Sequence, residues 1–164
     1  GRALNTALTT GSGVGRPYGI INGLSTGKTT SSATAITYAE LIDLEHSVDR
    51  DYRTNARYMM HDLILAYMRK IVDSNGMPVY QVSYRVGEPD SINGRPLVVN
   101  NDMDSTVATT KKTVAFGDFR SSYVYRTVSG GQVMRLTERY AAYGQVGLVT
   151  FSRHDGLVQD CSAA

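Results

Sequence analysis

The sequence predicts an α+β fold, on three observations. Two stretches carry apolar residues at helical spacing behind N-terminal capping signals. Short runs rich in Val, Tyr, Thr and Phe alternate with Gly-containing turns, the pattern of antiparallel strands. Long Gly-, Ser- and Thr-rich connections separate them. Helices and strands that occupy separate stretches favour α+β over a regularly alternating α/β architecture.

The first half alternates helical signals with loops. Arg2 to Leu8 read as the end of a helix, with Ala3, Leu4, Ala7 and Leu8 as its apolar face. Gly11, Gly13, Gly15 and Pro17 then enforce an irregular connection. Ile20 and Ile21 suggest a short extended piece, and Gly23 to Ala35 a loop. Thr37-Tyr38-Ala39-Glu40 fits the capping box, a hydroxyl at the N-cap with Glu three residues on. Tyr38, Leu41, Leu44 and Val48 follow at helical spacing, which predicts a helix over 38–49. Tyr58-Met59-Met60 reads as a buried strand. Asp62 is expected to cap a second helix, in which Ile64, Tyr67, Met68 and Ile71 share a face, and Asn75-Gly76 to stop it.

The second half reads as strands. Val79 to Val86 alternates, with Val82, Tyr84 and Val86 on one side. Gly94-Arg95-Pro96 precedes a short strand, Leu97-Val98-Val99, and Asp102 to Lys112 is a polar loop. After a Gly117-Asp118-Phe119 step, polar Arg120-Ser121-Ser122 leads into a strand from Tyr123 to Val128. Ser129-Gly130-Gly131 is expected to turn the chain, and Gln132 to Arg139 to return. Gly144 to Phe151 is a further strand, followed by Arg153-His154-Asp155-Gly156 and a small-residue tail.

The bulk composition narrows the function classes. A chain of 164 residues suits one domain and buries about 70% of its unfolded surface. Hydrophobic content of 41% and charged content of 20% are those of a folded globular protein. A net charge of +2 is too small to argue for nucleic acid. Arg outnumbers Lys, and Arg suits planar, multidentate interface contacts. Tyr is abundant, with 11 copies, and Trp is absent; tyrosine suits half-buried sheets and subunit contacts. Cys161 is the only cysteine, which excludes an intrachain disulfide and a multi-cysteine zinc site. No apolar run approaches the ~18 residues of a membrane span.

Catalytic and cofactor signals fail on spacing. Gly23-Leu24-Ser25-Thr26-Gly27-Lys28-Thr29 imitates a phosphate-binding loop but has three residues where the motif needs four. Thr29 to Thr34 is also a poor helix start. A nucleotide-binding protein or small enzyme using the Gly23–Lys28 loop is therefore the alternative reading, beside a β-rich ligand-binding module suggested by the Tyr-rich strands. Gly11, Gly13 and Gly15 miss the dinucleotide fingerprint, whose third glycine falls on Arg16. His46, His61 and His154 lack the spacing of metal ligands or of a triad and read as surface or cap residues. No catalytic, cofactor-binding or metal residues are assigned.

The order of the segments carries more than any one of them. Gly11-Ser12-Gly13 with Pro17-Tyr18-Gly19-Ile20, the helical region of 37–48 and 56–76, Gly94-Arg95-Pro96-Leu97-Val98-Val99, Gly117-Asp118-Phe119, Tyr140 to Val146 and Arg153-His154-Asp155-Gly156 follow one another across about 150 residues. That series resembles the major capsid proteins of tailed bacteriophages, the HK97-like fold family. The resemblance implies a structural subunit, not an enzyme, of an icosahedral phage head. Such subunits self-assemble into pentamers and hexamers that enclose the DNA genome.

It implies an axial domain with a mixed sheet and flanking helices over 15–118, completed by 156–164. Long antiparallel strands of a peripheral domain would span 119–155, with 1–14 as the end of a peripheral segment. The family's amino-terminal arm, extended loop and spine helix would precede residue 1, so this fragment is expected to be monomeric or weakly associated. The position of a crosslinking asparagine in some relatives falls near Gly144 or Gln145, so no covalent weld is expected. Implied partners are copies of itself, scaffold or portal proteins, and packaged DNA held nonspecifically, with no membrane. Implied locations are the virion and, during synthesis, the bacterial host cytoplasm. Arg135, Glu138 and Arg139 lie near the tip joining two peripheral strands and are the candidate contacts between neighbouring capsomers.

Overall fold

The computed structural model describes residues 1–72, 80 and 91–159. Expectations on Val79–Val86, Asn75-Gly76 and Cys161 lie outside the described residues. The elements run α1 (Arg2–Thr10), α2 (Ile20–Gly23), α3 (Tyr38–Ser47), α4 (Arg50–Arg53), β1 (Arg57–Met60), α5 (Asp62–Arg69), β2 (Ser91–Ile92), β3 (Arg95–Val99), β4 (Val114–Gly117), α6 (Phe119–Ser122), β5 (Tyr123–Leu136) and β6 (Gly147–Val158). This is the expected α+β fold.

Four strands form a mixed sheet in the order β2-β3-β1-β4. β1 runs parallel to β3, with Tyr58 opposite Leu97, and antiparallel to β4, with Tyr58 opposite Phe116. Tyr58, Met59 and Met60 are all buried because both faces of β1 are covered. Tyr58, Met60 and Phe116 pack with Leu41, Ile64, Leu65 and Met68 of α3 and α5. Met59 and Ala115 face the other way, onto Ile21 and Leu24 at α2 and onto Met103. The Tyr58 and Phe116 rings meet at 4.6 Å between centroids and 45°, a tilted aromatic pair at the centre of the layer.

Local chemistry sets the helix starts. Thr37 caps α3, and the reciprocal capping box with Glu40 is complete. The helix ends at Ser47, short of the expected residue 49, and Val48 turns into the core in extended conformation. α5 is capped by His61 rather than Asp62: the His61 ring nitrogen accepts from the Leu63 amide at 3.0 Å. Its buried residues are Ile64, Leu65 and Met68, whereas Tyr67 lies exposed. Ile71 packs on the core from beyond the helix end. Ile20 and Ile21 form the helical turn α2 instead of an extended piece, capped by Gly19.

α1 is tied to the sheet by polar contacts. Thr9 is buried, and its hydroxyl accepts from the Asn100 amide at 2.9 Å. Asp102 receives the Thr6 hydroxyl at 2.9 Å and the Asn5 side-chain amide.

Candidate assembly interface

β5 and β6 form a two-stranded antiparallel ribbon separate from the sheet. Its base is anchored. Asp118 caps α6 by accepting from the Arg120 amide at 3.1 Å, and Ser122 at the helix end is fully buried. The Gln159 amide donates to the Ser122 carbonyl at 2.8 Å, closing the base. Tyr123 donates its hydroxyl to the Tyr18 carbonyl at 2.8 Å, and the Tyr18 amide donates to the Gly156 carbonyl at 2.9 Å. Burial raises the Tyr123 pKa, with a smaller push from the Asp155 carboxylate. Glycine is required at 156, because a Cβ there would sit 2.0 Å from the Tyr123 hydroxyl.

The ribbon corrects the expected turn. Ser129-Gly130-Gly131 does not reverse the chain. β5 continues through it to Leu136, and the surplus residues form a bulge between Val128, opposite Arg153, and Gln132, opposite Phe151. The stretch 153–156, expected to follow a strand, lies inside β6. The reversal occurs at 137–146, through a 3-10 turn over Ala141–Tyr143 and a left-handed Gly144 with φ 65°. Tyr140 lies over Gly147, where a Cβ would meet its ring at 2.8 Å.

Register assigns the two faces. The bulge inserts an even number of residues, so side-chain parity is kept along the whole ribbon. One face carries Val124, Val128 and Met134 with Phe151 and Leu157; the other carries Tyr125, Val133 and Leu148. All of these are exposed, Leu148 at 71% and Phe151 at 67%. Tyr125 stacks on His154 at 5.8 Å and 11°, which makes His154 a surface residue of the ribbon. His46 likewise lies at the surface, its ring nitrogen 3.0 Å from the Arg53 guanidinium.

The three predicted contact residues converge on the outer end. Arg135 sits opposite Leu148 in the last ladder rungs, and Glu138 and Arg139 lie in the reversal itself. All three carry exposed or half-exposed side chains, and the Arg139 guanidinium lies 5.9 Å above the Tyr140 ring. The apolar residues on both ribbon faces were missed by sequence reasoning. The false turn at 129–131 hid the continuous alternation that would have revealed them.

Rival sites fare differently. Lys28 pairs with Asp43 at 2.7 Å, and no helix begins until Tyr38, so the Gly23–Lys28 loop presents no phosphate cradle. The Tyr-rich strands make an open ribbon, which gives the β-rich ligand-binding module no support. Among the described residues no cluster of His, Cys, Asp and Glu could hold a metal ion, and no helix is long and apolar enough to cross a membrane.

A small mixed sheet under short helices, joined to a long exposed antiparallel ribbon, is the α+β architecture of capsid subunits. The sequence model of the Phage capsid family matches residues 1–164, and the chain belongs to that family. Solved structures agree. The capsid of an empty GTA particle, computed with C5 symmetry, is similar at 26% identity and a TM-score of 0.83, over 99% of this chain and 59% of that one. The capsid of the native GTA particle gives 25% identity and a TM-score of 0.84 over the same shares. The chain thus spans about 59% of the length of these relatives. No curated protein matches.

Proposed function

We propose that the chain is the shell-building part of a phage major capsid protein, a structural subunit that assembles with copies of itself into pentamers and hexamers around the genome. The observation that carries this is the ribbon. It presents large apolar side chains on both faces and three charged residues at its outer end, on a family match that covers the whole chain. A two-stranded ribbon is marginal alone and needs a covered face. Repeated, geometrically fixed contacts between identical subunits supply that cover in a closed shell.

Residues 15–118 with 156–164 act as the axial domain, and 119–155 as peripheral strands with 1–14 as the end of a peripheral segment. Support comes from the sheet and both core clusters, whose buried members lie between Ile21 and Phe116. Arg135, Glu138 and Arg139 serve as contacts between neighbouring capsomers, where charge sets register more than affinity. Packaged DNA touches the inner surface nonspecifically, and scaffold or portal proteins are further partners. The subunit belongs to the virion and is made in the host cytoplasm. This chain by itself is monomeric or weakly associated.

Charge reversal Glu138→Arg in the full-length protein tests the assignment. The expected result is a severalfold loss of shells by sedimentation and electron microscopy, with normal soluble subunit. Unaltered shell yield overturns the contact role. A stable hexamer of this chain on size-exclusion chromatography with light scattering overturns its weak association.

A further inference from the structure

β4 is the outermost strand of the sheet. Thr113, Val114, Ala115 and Phe116 line a cavity of about 630 Å³. Leu41 and Leu44 of α3 lie on one side of it and Ile21 and Leu24 on the other. Residues 25, 26 and 28–33 line it as well, together with the 107–112 loop. A four-residue strand spaced about 4.8 Å from its neighbour, in a layer about 10 Å thick and about 13 Å long, occupies on the order of 600 Å³. The void therefore has room for one short strand.

Two unpaired backbone edges meet across it. Alternate residues of β4 direct N–H and C=O groups away from β1. Among the described residues no backbone or side-chain partner takes them. Facing them, Thr26 to Thr30 runs without regular structure, and among the described residues no backbone–backbone hydrogen bond holds it. Three of its five residues are Thr, a β-branched residue that favours strands.

The segment is fixed at both ends, and between them Gly27 lies close against Ser47 and Leu44 of α3, where a Cβ would sit 2.3 Å from the Ser47 hydroxyl. The Lys112 ammonium donates to the Ile21 and Leu24 carbonyls at 2.9 and 2.7 Å, which pins the start. Ser31 donates through its amide and its hydroxyl to Glu40, both at 2.7 Å, which pins the end. Between them stands the exposed Lys28–Asp43 pair at 2.7 Å, a weak latch. Thr110, which also lines the cavity, has φ 70°, a strained conformation for a β-branched residue of the kind that marks switching segments.

We propose that residues 26–30 are a strap that closes on β4 as a fifth strand, giving the sheet a second arrangement with the void filled. The structure holds the open arrangement, latched by Lys28 on Asp43. Closure trades that exposed ion pair and the Gly27 contact on α3 for strand pairing at the β4 edge.

Cysteine pairs test the approach directly. In a Cys161→Ser background, Thr29→Cys is combined in turn with Val114→Cys and Ala115→Cys and exposed to a glutathione redox buffer. One pair is expected to form an intrachain disulfide, and Asp43→Asn to raise its rate threefold or more. Failure of both pairs to link overturns the strap. Hydrogen exchange separates a closing strap from a loop that only wanders. Asp43→Asn is expected to slow exchange at 114–116 and at 26–30 together. Faster exchange at 26–30 with 114–116 unchanged overturns the proposal.

Discussion

Replacing Glu40 by Gln is the sharpest test of how the first loop is held to the sheet domain. The Glu40 carboxylate is only 8% exposed and collects three donors. The Ser31 amide and hydroxyl reach one oxygen at 2.7 Å each, and the Thr37 amide reaches the other at 2.9 Å. The Ser31 and Thr37 backbone amides, aided by the Ser31 hydroxyl, hold its pKa down at about 2 from an ordinary 4.5. By linkage that depression caps its contribution at about 3 kcal/mol. Water at the loop side lowers the working figure to about 2 kcal/mol.

The amide of Gln keeps one acceptor oxygen and turns an NH2 group towards the remaining donors. Glu40→Gln is therefore expected to cost about 2 kcal/mol at pH 7, a fall of about 4–8 °C in Tm for a chain of this size. The pH dependence follows from the sign of the shift. A carboxyl whose folded pKa is depressed contributes its stability above the unfolded value, 4.5, and loses it as pH falls through the folded value of about 2. Parent and variant should converge as pH drops from 4.5 towards 2. Urea titrations at pH 7 and pH 3 give the gap at each. A gap as wide at the lower pH, or none at pH 7, refutes the carboxylate as the anchor.

Three further outcomes are expected. Phe151→Ser, on an exposed ribbon position, should leave stability of the isolated chain within ±0.5 kcal/mol while reducing shell yield severalfold in the full-length protein; equal yields would count against the ribbon as an interface. Gly156→Ala pushes a methyl onto the Tyr123 hydroxyl and should cost about 1–3 kcal/mol, with faster proteolysis at the ribbon base; unchanged cleavage would show the base repacks freely. Asn100→Ala leaves the buried Thr9 hydroxyl without its donor and should cost about 1–2 kcal/mol in urea unfolding, whereas no change would mean that α1 docks without it.

Elements governed by adjacent residues were legible. The Thr37–Glu40 capping box needs only residues three apart, and it forms as read. The continuous burial of Tyr58-Met59-Met60 also showed in sequence, because an apolar run without alternation means a strand covered on both faces. Features decided by distant partners were not. Gly130-Gly131 reads as a hairpin turn, yet the pairing of β6 on both sides of it converts the stretch into a bulge. The true reversal depends on Tyr140 settling over Gly147, which no local pattern announces. Thr9, Asn100 and Asp102 look like ordinary loop polarity until the fold brings residues about 90 apart within hydrogen-bond distance.

The apolar side chains are divided between a closed core and a bare ribbon. Tyr58, Met60 and Phe116 are sealed between helices, and the tyrosine, whose pKa is raised chiefly by burial, still reaches Glu45 at 3.3 Å. That core is closed and asks nothing of a neighbour. The ribbon is the reverse: Val133, Met134, Leu148 and Phe151 are more than half exposed, and no fold of the ribbon on itself hides both faces. Its bulge falls midway between the anchored base and the charged outer end. A ribbon anchored by Tyr123, Ser122 and Gly156 and bare beyond them is marginal on its own. On the proposed function, identical subunits would cover this surface, and the ribbon would gain from the shell the burial that its own fold does not give it.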